Sequence, residues 1–257
     1  MASTTETGHA KNVANFEDLI SFSQGYGTTY NPSKNSLKIA QLQTQLASVK
    51  ANVTSVTNTS VAFNSAVNAR MTAFDGLKKL STRLVNALDV TNASKELVKD
   101  AKTVNAKVQG SKLTKADAGK TKSTKADAGK TIDPNAIVTE TPKTISASQQ
   151  SYSSLTEHLA KLIAILATEP TYLPNENDLK ITTLNTQLTS LKNANTAVAN
   201  SYTTVSNARI ARNQSLYNPT NGLCQTAKEV KAYIKSVFGA SSPQYKQVSG
   251  IEFKAVK

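Results

Sequence analysis

The sequence predicts an all-α fold, an elongated helical bundle built from a tandem duplication of a long-helix/short-helix unit. Three observations carry that prediction. The segment from Tyr30 to Leu46 returns from Tyr172 to Leu188, shifted by 142 positions, and an internal repeat of this kind is the mark of a duplicated supersecondary unit. Apolar residues recur in steps of four and three over long stretches, the spacing of a helical seam. Finally, the chain has no Trp and only 5% aromatic residues, so its core rests on Leu, Ile, Val and Ala, the composition of helix-on-helix packing.

Taken in order, Val13, Phe16, Leu19 and Ile20 predict a short first helix, ended by Gly25-Tyr26-Gly27. A Tyr-x-Pro turn at Tyr30 then leads into a long helix starting near Ser33. Its seam runs through Leu42, Leu46, Val49, Val53, Val56, Ser60, Phe63 and Val67. Two shorter helices follow, one marked by Leu80, Leu84 and Leu88, the other by Leu97, Ala101, Val104 and Val108.

In the second copy Tyr152, Leu155, Leu159, Leu162 and Leu166 mark the short helix. The long one starts near Asn175, where Asn175 and Asp178 make a capping arrangement. Its seam reads Leu184, Leu188, Leu191, Asn195, Val198, Tyr202 and Val205, with a polar Asn195 in place of Val53. Running to about Phe74 and Leu216, the two long helices are expected to measure about 55–60 Å each, at about 1.5 Å per residue. A last helix carries Leu223, Ala227, Val230, Ile234 and Val237 and stops at Gly239.

The triplet Asn68-Ala69-Arg70 recurs as Asn207-Ala208-Arg209, a shift of 139 rather than 142. That difference predicts a three-residue stammer in one long helix. It also makes Arg70 and Arg209 candidates for a structural junction, each reaching a carboxylate or a helix-end carbonyl.

These elements divide the chain into an N-terminal arm over 1–11, a first repeat over 12–109, a low-complexity linker over 110–142, a second repeat over 143–250 and a tail over 251–257. Within the linker, the segment from Thr114 to Thr121 is repeated from Thr124 to Thr131. Lys112, Lys115, Lys120, Lys122, Lys125 and Lys130 make it strongly basic and a candidate contact for a polyanion.

Composition bounds function by exclusion. Ser, Thr and Asn, 80 residues together, outnumber the 30 basic and 17 acidic ones, so the outer helix faces are largely uncharged. The net charge of +13 admits an acidic macromolecule or an anionic surface as partner. Sequence-specific nucleic-acid recognition is not expected, because the basic residues are mostly scattered Lys without interleaved aromatics.

One cysteine, Cys224, and two histidines, His9 and His158, supply neither a disulfide nor a metal cluster. Cys224 sits in an apolar row and is expected to be core packing. His9 is expected in a frayed arm, and His158 beside the apolar row rather than in it. Gly119-Lys120-Thr121 and Gly129-Lys130-Thr131 resemble the end of a phosphate loop but lack the earlier Gly and the strand. No catalytic, cofactor or metal site is expected, and the chain reads as a non-enzyme. Its first residues lack a secretory signal, which predicts a cytoplasmic location or export by a non-standard route. No segment is apolar enough to span a bilayer.

With Tyr30-Asn-Pro-Ser-Lys34, the string from Asn207 to Asn213 and the tail from Tyr233 to Tyr245, the chain resembles a family of bacterial, Bacteroidota-like helical-bundle proteins without an established activity. The resemblance implies a bacterial source and transfers no site residues. The expectation is therefore a structural or interaction protein that self-assembles into an oligomer or filament. A polyanion- or membrane-surface-binding module using the basic linker is the first alternative, and an exported helical toxin or pore-former the second.

Overall fold

The structure, a computed structural model, describes residues 8–110 and 150–255. Eight α-helices and no β-strand occur among them: α1 His9–Gly25, α2 Ile39–Phe74, α3 Leu77–Asp89, α4 Lys95–Gln109, α5 Tyr152–Ala167, α6 Ile181–Tyr217, α7 Leu223–Phe238 and α8 Pro243–Ser249. The fold is an all-α helical bundle. The basic stretch, with Lys112, Lys115, Lys120, Lys122, Lys125 and Lys130, lies outside the described residues.

The helices begin and end where local chemistry directs. Ser94, Ser151 and Ser242 each accept a backbone N–H from the residue three ahead, at the starts of α4, α5 and α8. Helix α4 stops at Gly110, whose φ of 76° lets its N–H turn back to the carbonyls of Ala106 and Lys107. The long helices start later than the sequence suggests, at Ile39 and Ile181, each after a 3-10 turn, Asn35–Leu37 or Asn177–Leu179. Asp178 does not serve as the expected cap. Its carboxylate takes the Arg83 guanidinium instead.

Helix α2 has 36 residues and α6 has 37. Their starts are 142 positions apart and their ends, Phe74 and Tyr217, 143. The repeated Asn-Ala-Arg triplet thus does not mark a three-residue stammer, since the helix ends keep almost the register of the starts.

The chain forms two compact units, and neither is one sequence repeat. Of the described residues, the first takes 8–68 and 197–255, the second 69–110 and 150–196. In the first unit Val13, Phe16, Leu19 and Ile20 of α1, with Tyr30, Leu37, Leu42 and Val49, form one core with Leu216, Leu223, Ala227, Val230, Ile234 and Val248. In the second, Phe74, Leu77, Leu80, Leu84, Leu88 and α4 residues Val98, Ala101 and Val108 pack with Leu159, Leu162, Leu166, Tyr172, Leu184 and Leu191. Each core joins elements from the first half of the chain to elements from the second. Both cores are dense in side chains at zero exposure, such as Phe16, Leu19, Leu84 and Leu162. Truncating any of these to Ala costs about 2–5 kcal/mol.

The buried rows recur position by position. Val13, Asn15, Phe16, Leu19 and Ile20 of α1 correspond to buried Thr156, His158, Leu159, Leu162 and Ile163 of α5. Leu77, Leu80, Ser81, Leu84 and Leu88 of α3 correspond to Leu223, Thr226, Ala227, Val230 and Ile234 of α7. His158 is therefore a core position, only 3% exposed, and not beside the apolar row.

Candidate functional site

The most elaborate polar arrangement among the described residues lies at the start of α1, where the sequence leads one to expect a frayed arm. His9 is the first residue of that helix, and its Nδ1 lies 2.8 Å from the Tyr217 hydroxyl. Burial, and then the nearby Arg212 charge, hold the imidazole below its ordinary range. The same hydroxyl accepts from Asn12 Nδ2 at 3.2 Å.

Asn12, 2% exposed, also holds the C-terminal segment. Its Nδ2 donates to the Lys254 carbonyl at 2.7 Å, and its Oδ1 accepts the Lys254 N–H at 3.1 Å. One turn on, Asn15 Nδ2 donates to the Glu252 carbonyl at 2.7 Å. Lys231 of α7 donates Nζ to the carbonyls of Ser249 and Ile251, both at 2.9 Å. Residues 251–255 thus lie along α1 as non-helical chain held by its backbone, with the Phe253 ring edge-on to Phe16 at 6.5 Å. The signal for this site was two Asn at i and i+3 within an otherwise apolar row, and buried amides of that kind need partners.

The two candidate junction arginines part company. The Arg70 guanidinium stacks on the Tyr152 ring, 4.1 Å from its centroid, while Phe74 meets the same ring edge-on at 4.8 Å. Its Nε is buried with no hydrogen-bond partner among the described residues. Arg70 is thus a cation–π junction in place of the expected carboxylate or carbonyl contact. Arg209 is exposed and is no junction. At the end of α6 the matching ring pair is Tyr217 with His9, at 5.7 Å, and the guanidinium near it is that of Arg212.

Cys224 is half-buried against the first core, and burial pushes its thiol up to about 11, which suits packing better than nucleophilic chemistry. Among the described residues no group of three or more His, Cys, Asp or Glu side chains is placed to hold a metal, and no helix is long and apolar enough to cross a membrane. An open pocket of about 330 Å³ between α1 and α8 is lined by Ser21, Phe22, Gly25, Tyr26, Pro243, Gln244 and Gln247, with no titratable pair in it.

The long helices contribute a different surface. Lys50 and Arg70 are the only charges on α2, and Lys192, Arg209 and Arg212 the only ones on α6, so neither carries a carboxylate. Some of their hydroxyls, mostly on α6, bond back to their own helix. Thr44, Thr59, Thr186, Thr189, Thr196, Ser201, Thr203 and Thr204 each donate to the carbonyl four residues back. Side chains bonded this way show solvent their methyl or methylene groups more than a hydroxyl. Val61, Tyr202 and Ile210 stand among them, each more than half exposed. Tyr202, read from the sequence as a seam residue, is 59% exposed and leans on Phe63 at 5.9 Å.

Comparison with protein-family models, with curated proteins and with solved structures finds no match.

Proposed function

We propose that this chain is a non-enzymatic structural or interaction protein that self-associates through the exposed faces of its long helices. The observation that carries the reading is the combination on α2 and α6: stretches 51–69 and 193–208 without a charge, the Thr59, Thr196, Ser201, Thr203 and Thr204 hydroxyls bonded to their own helix, and exposed Val61, Tyr202 and Ile210. A net charge of +13 would oppose contact between copies, and long faces without charge are where that repulsion is weakest. Uncharged side chains also cost less to desolvate than charged ones. The recurrence of buried rows and turns in both halves supports reading them as a tandem duplication, which presents two similar faces per chain.

Sedimentation velocity tests the proposal. The wild-type chain is expected to sediment faster as concentration rises, and Val61→Lys or Ile210→Lys to suppress that rise. A wild type that sediments as a monomer at every concentration would remove the reading.

The five charges of α2 and α6 are all positive, and this favours a second reading, binding to an acidic macromolecule or anionic surface with the basic linker assisting. In that case binding to heparin or to anionic vesicles falls steeply with salt and drops further when residues 110–142 are deleted.

A further inference from the structure

Residues 251–254 are held against α1 and α7 through their backbone. Every hydrogen bond that Asn12, Asn15 and Lys231 make to residues 249–254 goes to backbone atoms: the carbonyls of Ser249, Ile251, Glu252 and Lys254 and the N–H of Lys254. Side chains alternate along the segment. Ile251 and Phe253 pack on the core of the first unit, while the Glu252 and Lys254 side chains are 67% and 55% exposed and pair with each other.

Backbone bonds with alternating inward side chains are how proteins hold an extended peptide, the bonds giving affinity and the pockets giving selectivity. In the second unit α5 has Leu155 and His158 where α1 has Asn12 and Asn15, and it packs against the helix α4.

We propose that the face of α1 carrying Asn12, Asn15 and Phe16 is a peptide-binding groove for an extended apolar-x-aromatic segment, occupied here by the chain's own residues 251–255. Its occupant in trans is the same segment of a second copy. Exchange of the same segment between identical grooves makes no new kind of contact. This rests on the proposed self-association only for the identity of the trans partner, because the groove itself can be assayed with a peptide.

The experiment uses the full chain with Phe253→Ala, which loosens the tail from the groove, and a fluorescently labelled peptide Gly-Ile-Glu-Phe-Lys-Ala. Fluorescence anisotropy is expected to show the Phe253→Ala chain binding at least about tenfold more tightly than wild type, whose groove is filled in cis. A peptide N-methylated at the lysine amide lacks the proton that Asn12 accepts. It is expected to lose most of that affinity, as is a peptide with Ala for Phe. These two controls alter the ligand only, so misfolding cannot imitate the result.

Equal binding to both chains, no binding to either, or full binding of the N-methylated peptide would overturn the groove. Peptide binding together with monomeric wild-type protein in solution would leave the groove standing as a cis-occupied site and remove the second copy as its partner.

Discussion

Tyr30 donates its hydroxyl to the carbonyl of Leu37 at 2.8 Å, clasping the turn before α2, and Tyr172 makes the same bond to Leu179 at 3.0 Å before α6. Both phenols are buried, at 6% and 4% exposure, and burial pushes both up to about 12. Replacing either by Phe leaves a buried carbonyl without its partner, a loss of about 1–3 kcal/mol. Tyr30→Phe and Tyr172→Phe are expected to cost similar amounts in denaturant melts. Because the folded phenols titrate above the ordinary value near 10, their contribution is present below pH 10 and is lost as pH rises toward about 12. Spectrophotometric titration should show Tyr30 and Tyr172 among the tyrosines that ionise late, and ordinary titration of all eight would contradict the clasp.

Each unit closes the same corner with an ion pair, but the polarity is reversed. Lys34, before α2, meets Glu229 of α7 at 2.5 Å, whereas Asp178, before α6, meets Arg83 of α3. Pairing the head of either copy with its own tail type would set Lys34 against Arg83 and Asp178 against Glu229. The reversal thus favours the arrangement observed, in which each core combines elements from both halves of the chain. Exposed pairs contribute little, about 0.2–1 kcal/mol. Lys34→Glu is expected to lower stability by about that amount, and Lys34→Glu with Glu229→Lys to recover most of it. A double variant no more stable than the sum of its singles would show that the pair has no coupling.

Arg70 and Arg209 occupy the same place in the repeated triplet but not in the fold. Arg70→Gln removes the guanidinium from the Tyr152 ring and is expected to cost about 1–2 kcal/mol. Arg209→Gln, at an exposed position, should fall within about 0.5 kcal/mol of wild type. Equal effects in thermal melts would restore Arg209 as a junction.

His9 is held below its ordinary pKa by burial and by Arg212, so the fold favours its neutral form. Its contribution is present above about pH 6.5 and is lost as pH falls through the lower folded value. Below pH 6.5 the wild-type melting temperature should therefore fall more steeply than that of His9→Gln. Parallel curves would exclude His9 as the cause.

Cys224, with its thiol near 11, presents only roughly one thiolate in a thousand at pH 8. Iodoacetamide should label it about a hundredfold more slowly in native than in unfolded protein, and equal rates would contradict its burial.

Much of the fold was legible because helix periodicity is a local signal. Leu42, Val49, Leu184, Leu191 and Val205 were read as inward and are buried, between 0% and 2% exposed. What escaped depends on contacts between residues far apart in sequence. The triplet at Asn68 and Asn207 suggested a stammer, but a three-residue match in chains rich in Asn and Ala outweighs neither the helix ends nor the ring pairs that seat them. Tyr202 fitted the row by spacing, yet its partner Phe63 covers only part of it. Asn12 and Asn15 broke the apolar row of α1, and only the return of residues 251–255, some 240 positions later, satisfies them. The six linker lysines lie outside the described residues, and their role rests on charge alone.

The most direct test of the account is light scattering joined to negative-stain electron microscopy, on purified protein over a range of concentrations at low and high salt. Association through uncharged helix faces predicts ordered oligomers or filaments that grow with concentration and persist at high salt. A monomer throughout, or particles that dissolve as salt is raised, would contradict it.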